Sequence, residues 1–404
     1  MTSSPDKPDR VWGDGGLCRV PGEPVSAPQP FDEARHLEIV GNANGRVINF
    51  FEELASPEAL ERTVMTRLHP TRGLNRRTPP FVPPVQIETL HLLHLRDAYC
   101  GDNVVFDADR YFRLGRPYAG DHHRLYHKTE TIHHIEAGVL ISALMGDAFQ
   151  HFILDAMPQL AIVLNLLESP GFEHLRIVSH SKAAPFARWF WEKTGLADRV
   201  VDKPLNALER HLVHADHVLF PYYSPEMEIR SLYPRGVMAP LQARLGLLDE
   251  PEADLLVYAG RTNVNRCVSD EAPILDVLEQ LAAAHGLGFR HFHSQKDWDA
   301  DFDLFRRARV VVGPHGAGLS NIAFAPPGAH VVEFIPISRA SYRPKHQRLI
   351  AYHGLSQACS HHHWAIEPIH FAFDEPGMRV DAQHVAMLVA RILGESDAAS
   401  DRPA

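Results

Sequence analysis

Cysteine is scarce: the 404 residues hold four, Cys18, Cys100, Cys267 and Cys359, and none stands in C-x-x-C spacing. That excludes a disulfide framework and a zinc ribbon, and fits a reducing compartment. Positive charge is in deficit too. Lys and Arg number 40 against 50 Asp and Glu, a formal net charge of −10. Such a balance argues against a nucleic-acid coat or a binder of anionic membranes, while leaving room for a local basic pocket. No run approaches the roughly 18 apolar residues of a membrane span. The early charges of residues 1–30 are followed by no apolar stretch, so neither a transmembrane helix nor a signal peptide is expected. The dinucleotide G-x-G-x-x-G, the Walker lysine motif and the G-x-S-x-G elbow are all missing.

What is present suffices for two cores, since 45% of the residues are hydrophobic. Proline-rich residues 1–30 read as a loose tail, and the small polar residues 395–404 as another. Between them, 31–248 and 254–394 read as two α/β domains joined by the acidic linker Asp249–Asp254. Residues 36–135 suggest short strands and loops, without functional content. From Gly138 on, strand and helix patterns alternate: strands at 139–144, 175–179, 199–201 and 211–220, helices at 149–167, 183–193 and 234–248. Within 149–167, His151, Asp155 and Gln159 fall four apart and share one stripe, and Pro158 should kink or break the helix. A solvated His151–Asp155 surface pair and a functional pair both fit that stripe.

The second domain opens with the strand 255–258, then Gly260, Arg261 and Arg266, which set two cations at the carboxyl edge of a sheet. Asp270 is the expected cap, and Pro273 the first turn, of a helix carrying Ile274, Leu278 and Leu281. Arg309–Pro336 is the central stretch. Its Val310–Val312 strand runs into Gly313-Pro314-His315-Gly316-Ala317-Gly318, a short helical register with Leu319 and Ile322, then a second strand holding Glu333. A strand, glycine turn and helix N-terminus make an anion site, most often for phosphate. His315 and Glu333 are its polar residues at ligand-facing points.

The runs GPHGAGLSNIAFAPPGAHVVEFIP, AGRTNVNRCVSDE and FQHFILDAMPQL, in their order and separation, resemble glycosyltransferase family 61 over about Gly138–Pro336. The resemblance implies a GT-B architecture, two Rossmann-like domains facing across a cleft, and inverting transfer from a nucleotide-diphosphate sugar, UDP-linked in the leading reading, without a bound metal or other cofactor. No Asp-x-Asp adjoins a suitable strand end. The implied donor-binding residues are Arg261, Arg266, His315, Gly316, Ala317, Gly318, Leu319 and Glu333, the last through ribose hydroxyls. Asp155 is the implied base, with His151 orienting it or replacing it. The acceptor would be a glycan, a lipid-linked glycan or a small molecule, the setting a cytoplasmic assembly line, and an oligomer is compatible with all of this.

Two other readings compete. A catalytically inactive sugar-nucleotide or glycan-binding protein would keep the nucleotide site and turn nothing over. An esterase-type hydrolase would use His315–Gly318 as an oxyanion loop, but lacks its nucleophile elbow. The Cys359, His361, His362, His363 run and the pairs His122-His123 and His133-His134 invite a metal, but neighbours on a strand point to opposite faces.

Overall fold

The computed structural model describes strands at 11–13, 17–19 and 68–69, and residues 91–100, 104–106, 111–113, 131–141, 148–168, 172–179, 184–201, 211–222, 236–249, 253–261, 265–294, 296–336, 351–366, 368–369 and 377–400. His122, His123 and the acidic stretch 250–252 lie outside them. The chain forms two units, 1–53 with 88–230, and 54–87 with 231–404. The division therefore falls ahead of the acidic stretch expected to mark it.

Inside the expected tail, β1 (Val11–Gly13) and β2 (Leu17–Arg19) form an antiparallel pair. The next strand in the chain, β3 (Leu68–His69), belongs to the second unit. The main sheet of the first unit is built from β4 (His91–Cys100), β5 (Val104–Phe106), β6 (Tyr111–Arg113), β7 (Thr131–Leu140), β8 (Arg176–Val178) and β9 (His211–Tyr222). Their order is β6-β5-β4-β9-β7-β8. β7 runs parallel to β8 and β9, whereas the β4–β9, β4–β5 and β5–β6 pairs are antiparallel. The antiparallel pairs depart from the wholly parallel sheet expected in this unit. The links between β4, β5 and β6 are a few residues long, which permits hairpins and no crossover. β4 and β7 are also longer than the short strands expected there, at 10 residues each.

A helical run, Phe149–Leu167, ends in α1 (Met157–Leu167), and α2 (Pro185–Lys193) packs against its start. Phe152 meets Phe186, Phe190 and Trp191 edge to face, with centroids 5.5, 5.1 and 5.6 Å away. By length and composition this 19-residue run could cross a membrane, against the sequence expectation, but 78% of its apolar window is buried. It reads as a core helix. The strand expected at 199–201 is instead a 3-10 turn, Ala197–Arg199, followed by a single bridge from Val200 to Ile177. Arg199 is drawn away by the end of α1, donating to the carbonyls of Leu167 and Phe172 at 2.9 and 3.0 Å.

The second unit contains α3 (Ala239–Arg244), β10 (Leu255–Ala259), α4 (Ala272–Ala284), β11 (Gly288–Phe292), α5 (Trp298–Phe305), β12 (Ala308–Pro314), a 3-10 helix (Ala317–Phe324), β13 (His330–Phe334), α6 (Ala351–Ala358), β14 (His362–Ile366) and α7 (Ala382–Ser400). α3 was expected within the first domain. Its entry strap belongs here because Gly236 and Met238 donate backbone bonds to Gln357 and Ala358. α7 continues to Ser400, into the expected C-terminal tail. Asp270 does not cap α4: Glu271 holds the cap position, and its carboxylate accepts from the Tyr258 hydroxyl at 2.9 Å.

All five pairings in the sheet β11-β10-β12-β13-β14-β3 are parallel. Counted from β10, the first five strands follow the doubly wound order 2-1-3-4-5, whose topological switch point lies between β10 and β12. One face buries Leu256, Tyr258, Val310, Val312, Val332 and Phe334 against α4 and α7. The other packs Phe302 on Phe324 and Phe292 on Phe305. Each fully buried large apolar side chain contributes roughly 1.5–3 kcal/mol. A core of this size can hold an internal ionised group.

Candidate active site

Everything at the carboxyl edge of the second unit's sheet follows from two strand ends meeting at the switch point. β10 ends in Ala259 and leads to Gly260 and Arg261, while β12 ends in Pro314 and leads to His315 and Gly316. The strands are tightly apposed: a Cβ on Gly313 would lie 2.5 Å from the Ala259 carbonyl oxygen. At Gly316 the neighbour is a side chain. A Cβ there would sit 2.1 Å from Arg261 Nη1, 3.1 Å from Cζ and 3.3 Å from Cδ, so the guanidinium lies directly on this glycine. Gly316 has an extended backbone, φ 167°, and glycine is required for the space and not for the conformation.

Arg261 is fixed from behind by its Nε, which donates to the Asn265 carbonyl at 2.7 Å. Burial, and then the charge of Arg266, pull its pKa below the usual arginine value. Two cations held together and partly out of water favour an anion between them. Arg266 itself adopts φ +68°, a conformation uncommon outside glycine, asparagine and aspartate. Such outliers concentrate at ligand sites.

The turn that follows is a 3-10 helix and not the first turn of an α-helix. Asn321 Nδ2 takes the Gly318 carbonyl at 3.1 Å, and Pro326 and Pro327 stop the chain soon afterwards. Leu319 is fully buried and its N–H donates to the Gly316 carbonyl at 2.9 Å, so the donor-binding role expected of its backbone does not fit. Ala317, exposed, and Gly318, half-buried, begin the helix, where N–H groups have no intrahelical acceptor. A Cβ on Gly318 would make only ordinary contacts, 3.7 Å and beyond, so the protein itself crowds Gly316 and leaves Gly318 open.

Beneath the turn lies a buried polar chain. Glu333 is fully buried on β13, with Oε1 2.5 Å from His315 Nδ1 and Oε2 3.0 Å from His363 Nε2. Burial alone would raise its pKa, but the hydrogen bonds and charges of the two imidazoles hold it down to about 2. The ribose contact expected of Glu333 does not fit this geometry, because both oxygens are engaged and neither is exposed. His363 Nδ1 lies 3.0 Å from Ser356 Oγ. Tyr352, one helical turn earlier on α6, donates its hydroxyl to the Gly316 carbonyl at 2.6 Å and packs edge-on against His315, centroids 4.9 Å apart. Sequence reasoning missed Tyr352, Ser356 and the role of His363. The i, i+4 spacing of Tyr352 and Ser356 on a helix was the available signal.

The histidine runs do not converge. His361 Nε2 lies 3.2 Å from the Ala325 carbonyl, His362 stacks on His330 at 4.7 Å, and His363 serves Glu333. In the first unit His134 approaches His214 at 3.2 Å, and His214 in turn meets Asp97 at 2.6 Å. Among the described residues no group of three such side chains is arranged to hold a metal.

His151 and Asp155 sit in the first unit, at the break Pro158 produces. Proline has no N–H for the Leu154 carbonyl and its ring crowds that oxygen. The chain answers with a π-helical turn, Phe152–Ala156, in which the Met157 N–H reaches back to the Phe152 carbonyl. Wide turns of this kind recur at functional sites. Asp155 stands inside it, 7% exposed, with Oδ2 3.4 Å from His151 Nδ1. Gln159, third on the stripe, is fully buried.

The second unit is thus a doubly wound α/β sheet with two arginines and a glycine turn at its switch point, the edge at which ligands lie in such sheets. Residues 149–332 match the family model Glycosyltransferase 61, so the chain carries a domain of that glycosyltransferase family, which implies a sugar donor and a glycan acceptor. The match includes His151, Asp155, Arg261, Arg266 and the 315–319 turn, and stops one residue short of Glu333. No curated protein matches the chain.

Proposed function

We propose that the protein is an inverting, metal-independent glycosyltransferase of GT-B type that takes its sugar from a nucleotide diphosphate, UDP first among the candidates. The carrying observation is Arg261 laid on Gly316 at the β10–β12 switch point. In this reading Arg261, Arg266 and the N–H groups of Ala317 and Gly318 neutralise the charge that grows on the departing diphosphate, a role a metal ion would otherwise fill. Asp155, oriented by His151, takes the proton of the acceptor hydroxyl as it attacks the anomeric carbon, and His151 is the alternative base. The acceptor is a hydroxyl of a glycan or lipid-linked glycan, reached in a reducing, cytoplasmic setting.

The test is calorimetry and thermal shift with UDP, GDP, CMP and dTDP, each with and without EDTA. One nucleotide should bind and stabilise the protein equally in both conditions, and Arg261→Ala should abolish the effect. Binding that EDTA removes would sink the metal-independent mechanism. No binding by any nucleotide would sink the donor site.

A further inference from the structure

The buried chain Ser356–His363–Glu333–His315 extends beyond the residues that the family match covers, and hydrogen-bond logic assigns its protons. Glu333 is ionised and can only accept, so both nitrogens facing it must donate: Nδ1–H of His315 and Nε2–H of His363. With its Nε2 protonated, a neutral His363 has a lone pair on Nδ1, which matches the Ser356 hydroxyl 3.0 Å away as donor. The donations converge on Glu333 from both sides: Ser356 through His363 on one oxygen, His315 on the other.

We propose that His363 and Ser356 are positioning residues for His315: they hold the Glu333 carboxylate under Nδ1, so that Nδ1 carries the proton and His315 presents the Nε2 lone pair, an acceptor, to a hydroxyl of the bound sugar nucleotide. The inference rests on the turn being the donor site. A carboxylate under an imidazole holds tautomer and ring orientation in this way in many catalytic and metal sites. Stability gives little reason for the chain to exist, because a buried ion pair is commonly matched or bettered by apolar residues of similar volume. Position gives a better one. Glu333 pairs in register with Gly313, two residues before His315, and α6 holds both ends of the arrangement, Ser356 under His363 and Tyr352 on the Gly316 carbonyl.

The experiment is two-bond 15N–1H correlation of the full chain carrying 15N-histidine, recorded across pH so that neutral imidazole is observed. His315 is assigned from the signal that His315→Gln removes. His315 should appear as the Nδ1–H tautomer, and Glu333→Gln and His363→Asn should each turn it into a mixture with the Nε2–H form. Ser356→Ala, too small a change to threaten folding, should do so to a lesser degree. An Nε2–H tautomer in the wild-type protein overturns the proposal, as does an unchanged spectrum in every folded variant. If the Glu333 and His363 variants do not fold, the wild-type spectrum and Ser356→Ala decide by the same criteria. The spectra need no nucleotide, which separates the two readings. An Nδ1–H His315 indifferent to UDP supports the relay and removes the donor site, whereas UDP binding beside an Nε2–H His315 removes the relay and keeps the site.

Discussion

Each unit sets a histidine against a carboxylate, and the two pairs have little else in common. His151 and Asp155 lie four apart on one helical run, 3.4 Å from each other, with side chains 40% and 10% exposed. That distance is near the limit of a hydrogen bond. His315 and Glu333 come from the ends of neighbouring parallel strands, 2.5 Å apart, with side chains 6% and 0% exposed. A loosely joined pair whose histidine is partly in water is inexpensive to break. A pair sealed in the sheet, with a second imidazole on the same carboxylate, acts through the geometry it imposes. The first suits a reacting group, the second a support.

The largest expected effect tests that division on stability. Glu333→Ala leaves two buried imidazoles without their acceptor and should lose about 3–5 kcal/mol in denaturant melts, whereas His151→Ala should lose no more than about 1 kcal/mol. Equal losses would erase the distinction. pH sharpens the same contrast. Glu333 is held at about 2 from an ordinary 4.5, so its folded form releases the proton more readily than the unfolded chain. The resulting stability, about 3 kcal/mol at 1.36 kcal/mol for each pH unit, is complete above pH 4.5 and drains as pH falls from 4.5 towards 2. Melts of the wild type and Glu333→Gln should converge over that window, and a gap that stays constant would show that ionised Glu333 is not its source.

Asp155→Asn comes next, and reverses the readout. Transfer should fall roughly 10²-fold, about 2.7 kcal/mol on the barrier, while melting and nucleotide binding stay near wild type. Full activity in the variant would assign the base elsewhere, with His151 the first alternative.

The two glycines of the turn separate fold from site within a few residues. Gly313→Ala drives a Cβ into the Ala259 backbone and should destabilise by about 1–3 kcal/mol. In Gly316→Ala the nearest obstacles are Nη1, Cζ and Cδ of Arg261, a side chain that can give way where a backbone cannot. The variant should melt close to wild type and bind nucleotide several-fold more weakly, because Arg261 must move. If Gly316→Ala binds normally, the phosphates do not lie under Arg261.

Legibility followed the range of the interactions. β10, β12 and β13 could be read from short apolar runs, and the turn after β12 from its glycines, because those signals lie within a few residues. Pro158 announced a break, but not that the chain would answer it with a π turn around Asp155. β4 was not recognised as one long strand, because its main partner, β9, lies far off in sequence. The expected functions of Glu333 and Leu319 went astray for another reason. A carboxylate at a strand end faces ligand or core according to what β14 and α6 bring to it, and neither His363 nor Ser356 carries a local motif. At Gly316 the need for glycine comes from a neighbour no local pattern announces, the guanidinium of Arg261.

Tyr352→Phe is the smallest change and probes whether α6 supports the turn. The hydroxyl is fully buried, burial raises its pKa, and its proton goes to the Gly316 carbonyl at 2.6 Å. Removing the oxygen keeps the ring that packs edge-on against His315, so the core is undisturbed and the loss should be about 0.5–1.5 kcal/mol, that of one hydrogen bond. If the bond also sets the height of Gly316 under Arg261, nucleotide affinity should drop by a further small factor, and combining Tyr352→Phe with Gly316→Ala should lose less affinity than the two single losses added. Neighbours that act on one contact couple in this way, and independent sites do not. Strict additivity would mean that Tyr352 holds the fold of the turn and has no part in placing the arginine.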